Sequence, residues 1–123
     1  MAIVRFEEID SWKEARKLTK AIYTLTSESK FSRDFGLRDQ VQRASVSIMS
    51  NIAEGFDGGS HKVFANFLTY AYRSSSEVQS LLYVAFDAGY IEQVEFQQCF
   101  AQASKTKQLI GGFIKYLRRS QNR

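Results

Sequence analysis

Setting each residue about 100° beyond the last places Leu37, Val41, Ala44, Ile48 and Ile52 on one narrow stripe, the spacing of a helix docked on a core. Beside it runs a polar row, Gln40, Arg43, Ser47, Asn51 and Glu54, at the margin of that core. Side chains so placed bond to a neighbouring helix rather than only to water. Ala15, Leu18, Ile22 and Leu25 form the seam of an earlier helix. Cys99, Ala103, Thr106, Ile110, Phe113 and Leu117 form that of a last one. Between them Phe64, Phe67, Leu68, Ala71, Val78, Leu81, Leu82 and Ala85, with Tyr70, Tyr72, Tyr83 and Phe86 around them, cover more than one face. Such a helix is central in its domain or covered by another subunit, and a small bundle has no central helix. A homo-oligomer is therefore expected.

The polar punctuation between seams places helices at about 11–28, 37–54, 60–88 and 92–118 in a single domain, 1–123. Ser11 and Glu14 have the spacing of a capping box for the first helix. Ile3, Val4, Phe6 and Ile9 precede it and are available to pack over one end of the bundle. The segment 27–35 reads as a polar loop whose Phe31 and Phe35 plug the bundle end. Gly55 is expected to stop the second helix, Ser60 to cap the third, and Gly89 to end it in a left-handed turn. Gly111 and Gly112 interrupt the fourth, where each costs about 1 kcal/mol relative to alanine, so a kink or a close helix contact is expected. Short connections between long helices make the fold all-α, an antiparallel up-and-down four-helix bundle.

Composition narrows this picture without changing it. With 123 residues the chain can bury a proper core, and the absence of proline leaves nothing to break its helices internally. A single cysteine, Cys99, excludes an internal disulfide and fits a reducing, cytoplasmic setting. The first residues are charged too early for a signal peptide, and no window approaches a membrane span.

The formal charge is +4 and is unevenly distributed. Lys13, Arg16, Lys17 and Lys20 lie almost opposite the seam of the first helix, and Lys115, Arg118 and Arg119 at the end of the fourth lead to a frayed basic tail. Such faces either keep a soluble helix solvated or meet an anionic partner such as RNA or DNA.

Arg43, Ser47, Asn51, Glu54, Ser74 and Glu77 have enzyme-like identities, but a serine nucleophile needs a base, and the lone His61 sits in a distant turn. The cluster reads better as a structural network, with Arg43 forking onto Glu77 or, second, Glu54. No zinc or di-iron spacing occurs, and GFDGG at 55–59 lacks the lysine and hydroxyl of a phosphate loop. A ribonuclease of the helical toxin type would need an arginine followed by four to six residues and a histidine, and no arginine stands at that distance before His61. No catalytic residue, cofactor, metal or small-molecule substrate is expected.

RASVSIMSNIAEG at 43–55, FEEIDSWKEARKL at 6–18 and the Ser74 and Glu77 pair resemble the four-helix bundle proteins encoded in 23S rRNA intervening sequences, also called S23 ribosomal proteins. The resemblance covers nearly the whole chain, and Arg43, Ser47, Asn51, Glu54 and Gly55 match the family motif. It implies a homopentamer with a role in binding ribosomal RNA or another nucleic acid. The chain departs from the family at Met49, where proline is common, which implies a straighter second helix. It departs again at Arg73, Ser75 and Ser76, where small or apolar residues are usual. The alternative reading is a protein-interaction scaffold whose charge serves only solubility.

Overall fold

The computed structural model describes residues 2–121. A 3₁₀ turn, Phe6–Glu8, leads into α1 (Asp10–Thr26), a short α2 (Ser29–Arg33), and then α3 (Phe35–Asp57), α4 (His61–Asp87) and α5 (Gln93–Gln121). The four long helices pack in a ring: α1 lies against α3 and α5, and α4 against the same two from the other side. The start of α1 meets the far end of α5, Lys13 sharing a cleft with Leu109 and Phe113, while Leu25 lies with Cys99, so the two run antiparallel.

The expected seams are the core. Leu18, Ile22, Ile48, Ile52, Leu68, Val78, Leu82 and Ile110 are sealed from solvent, joined by Ala15, Ala71, Ala85 and Ala103 where helices approach closely. Phe67 and Phe113 are only half-buried, and Ile114 does the filling beside Phe113. Sealing the larger aliphatic side chains from water contributes roughly 1.5 to 3 kcal/mol each before chain entropy is counted.

Helix boundaries follow tertiary packing more than local signals. Ser11 is not the cap of α1: the helix starts at Asp10 with Ile9 at the cap position. Burial of Ile9 pulls the chain inward two residues early, so Ser11 is enclosed and its hydroxyl lacks a partner among the described residues. The segment 27–35 holds a helical turn instead of a plain loop. Phe31 fills the bundle end beside Tyr90, but Phe35 is largely exposed, with Arg38 over its ring, and Val4 is exposed as well. Asp34 caps α3 by accepting from Leu37 N at 3.1 Å, and its other oxygen accepts from Tyr90 Oη at 2.9 Å.

Gly55 does not stop α3, which runs on to Asp57. A Cβ at Gly55 would lie 2.6 Å from Cβ of Phe67, so glycine is needed there for close approach of α3 and α4. Ser60 does cap α4, accepting from Val63 N. Gly89, at φ +79°, closes it with Gly89 N donating to Phe86 O and Tyr90 N to Ala85 O, a Schellman motif. α5 continues unbroken through Gly111 and Gly112 to Gln121, and the tail beyond it, with Arg123, lies outside the described residues.

Candidate nucleic-acid interface

The seam between α3 and α4 holds part of the polar row. Ser47 Oγ and Ser74 Oγ are 3.0 Å apart, and Asn51 Nδ2 donates to Ser47 O at 2.8 Å and to Ser47 Oγ at 3.0 Å. Arg43, Glu54 and Glu77 do not join them. All three are exposed, and among the described residues neither carboxylate pairs with Arg43. Glu77 instead receives a long contact from Gln40 Nε2 at 3.5 Å. The Arg43 guanidinium lies at the exposed edge of the row, whereas the short Ser47 and Asn51 side chains are half-buried at the seam. Ser75, in the middle of the serine run, is sealed and donates to Ala71 O at 3.0 Å, so small size lets α4 pack closely there.

The basic residues of α1 share one face of the helix, as their spacing requires. Lys13, Arg16, Lys17 and Lys20 line one shallow groove of about 490 Å³ with Trp12 and Glu7. Arg16 stands 5.9 Å over the Trp12 ring, and Phe6 braces that ring edge-on at 5.2 Å between centroids. The groove therefore offers four cations beside a half-exposed indole, with Glu7 occupied by Arg5 at 3.5 Å.

Glu14, expected to cap the helix, anchors this face. It is buried between α1 and α5, where Lys17 and Lys105 each approach Oε1 at 3.3 Å and Gln102 donates to Oε2. Burial opposes its ionisation, but hydrogen bonds from Lys17, Lys105 and Gln102 outweigh it and hold the carboxyl below its ordinary range. One lysine from each helix is thereby fixed at the surface. Lys115, Arg118 and Arg119 are exposed on the last turns of α5.

Reactive chemistry has little purchase elsewhere. Cys99 is buried, which pushes its thiol up to about 11 and leaves it protonated and inert at neutral pH. Among the described residues no three His, Cys, Asp or Glu side chains gather as metal ligands, and no helix is long and apolar enough to cross a membrane. His61 is exposed at the start of α4, well along the chain from Ser47.

Residues 7–112 match the family model described as 23S rRNA-intervening sequence protein. The chain belongs to that family. The expectation from the motifs at 6–18 and 43–55 is met, and the helical bundle agrees with it. A solved protein of unknown function from the S23 ribosomal protein family of Bacteroides thetaiotaomicron is similar in fold, with a TM-score of 0.80 at 21% identity over 85% of this chain and 98% of that one. A comparison with curated proteins gives no match.

Two features of this family member were missed by sequence reasoning. Trp12 stands one residue before the basic run and lines its groove, and Lys105 reaches across from α5 to Glu14.

Proposed function

We propose that this family member is a noncatalytic homo-oligomer, most simply a pentamer, that binds RNA or another nucleic acid through its basic outer surfaces. The observation that carries the reading is the α1 groove, where Lys13, Arg16, Lys17 and Lys20 converge beside Trp12. Cations hold phosphates without regard to sequence, and an indole offers a face on which a base can stack. Lys115, Arg118 and Arg119 extend the positive surface at the end of α5.

Assembly multiplies weak contacts. A pentamer carries five times the +4 of one chain, and linked sites bind with an avidity beyond any single one. Tyr70 and Val84, about four turns apart on the outward stripe of α4, are 50% and 49% exposed and supply apolar surface for a second copy. The same exposed residues favour the scaffold reading if they meet a different protein instead.

A filter-binding titration of ribosomal RNA at low and high salt tests the proposal, with the variant Lys13→Glu, Arg16→Glu, Lys20→Glu alongside. Lys17 is left in place because it holds Glu14. Salt-sensitive binding that the variant loses is the expected result. An oligomer that ignores RNA at low salt contradicts it.

A further inference from the structure

Gly111 and Gly112 have no conformational or packing reason to be glycine. Neither has a positive φ, α5 passes through them unbroken, a Cβ at Gly111 would make only ordinary contact with Tyr72, and one at Gly112 would meet nothing. What the missing side chains do is open a groove of about 610 Å³ between α4 and α5. Tyr72 forms its α4 wall, Lys107 and Lys115 stand along its α5 wall, and no acidic residue lines it. Gln79 and Ser104 join the walls through a 2.8 Å hydrogen bond from Nε2 to Oγ.

The groove continues into an aromatic array. Phe100 lines it and lies 5.6 Å from Tyr83 and 5.4 Å from Phe96, and Phe96 in turn stacks against Tyr83 at 4.9 Å and Phe86 at 5.3 Å. Tyr72, Tyr83 and Phe86 remain 39%, 52% and 37% exposed, so their rings are not spent on the core. Lys107 Nζ sits 5.0 Å from the Tyr72 ring centre, holding a cation at the groove mouth. Lys115 stands about 12 Å further along the helix at about 1.5 Å per residue.

We infer that this groove holds a single-stranded segment of nucleic acid, with phosphates on Lys107 and Lys115, backbone laid over the Gly111 and Gly112 floor, and bases against the exposed aromatic rings. Cations spaced along a trough with aromatic platforms beside them are what an unpaired strand requires, since its bases are free to stack. A duplex keeps its bases stacked inside and is too broad to enter. The inference rests on the proposed nucleic-acid binding and adds a second surface, on the side of the bundle away from α1, with a preference for unpaired strands.

The test is fluorescence anisotropy on the full chain, using a labelled single-stranded RNA about a dozen nucleotides long and the duplex it forms with its complement. Gly112→Leu fills the groove, and Lys107→Gln with Lys115→Gln removes its charge without adding bulk. Each variant is expected to weaken single-strand binding about tenfold and leave oligomeric state unchanged, and Gly112→Leu, which removes no cation, is expected to leave duplex binding unchanged as well. Wild-type RNA binding that neither variant alters overturns the groove assignment while sparing the wider reading; wild-type protein that binds neither RNA overturns both. Loss of oligomer in either variant, with single-strand binding intact, makes the groove a contact between copies and also overturns the inference. If Gly112→Leu changes assembly and binding together, the lysine pair decides: weakened single-strand binding by an intact oligomer supports the groove, and unaltered binding overturns it.

Discussion

Ser47 on α3 and Ser74 on α4 face each other with hydroxyl oxygens 3.0 Å apart, and Asn51 closes the group by donating to Ser47. The Ser47 to Ser74 contact is the short side-chain bond between α3 and α4, and Asn51 steadies Ser47 from its own helix, whereas Arg43 beside them is exposed. Ser47→Val should lower unfolding stability by about 1 to 2 kcal/mol, because Ser74 and Asn51 lose a half-buried partner. Arg43→Ala should stay within about 0.5 kcal/mol of wild type. Urea unfolding of both variants checks the contrast, and a larger effect at Arg43 would restore it to the network.

Gly55 lies at a close approach of α3 and α4. An alanine methyl would stand 2.6 Å from Cβ of Phe67 and 3.3 Å from the carbonyl oxygen of Phe64, and backbone yields little. Gly55→Ala should therefore destabilise by about 1 to 3 kcal/mol despite alanine's better helix propensity. A raised melting temperature would show that the helices can part without loss.

Glu14 sets an acid-side dependence. Its folded-state pKa lies below the ordinary 4.5, so its contribution is complete above that value and is lost as pH falls through the lowered one. Lys17 and Lys105 are mostly exposed, and solvent screens much of their attraction. Glu14→Gln should thus be less stable than wild type at neutral pH, with the gap narrowing as pH falls below 4.5 and through the lowered value. Chemical denaturation across that range measures it; a gap independent of pH would contradict the assignment.

The hydrophobic seams were legible because burial at helical spacing is a local signal: Leu18, Ile48, Leu82 and Ile110 could be placed in the core from their neighbours alone. Ends were less so. Ser11 has a cap's sequence context, but Ile9 is drawn into the core first, and Gly55 carries the mark of a stop while serving a close approach. The polar row at 40–54 was visible, yet which members bond depends on how far each side chain reaches toward α4, a tertiary quantity. The α1 cations could be named individually, and Trp12 lies on their own helix four residues before Arg16, whereas the meeting of Lys105 with Glu14 depends on a neighbouring helix. Gly111 and Gly112 stood out as costly, and only the position of Tyr72 opposite them shows the groove they open.

The salt dependence of RNA binding tests the central claim most directly. Each phosphate held by a cation steepens the slope of log affinity against log salt, by about 0.7 for a single strand. The triple variant Lys13→Gln, Arg16→Gln, Lys20→Gln should bind more weakly at low salt and flatten that slope by about 2. Affinity and slope both equal to wild type would contradict binding through α1.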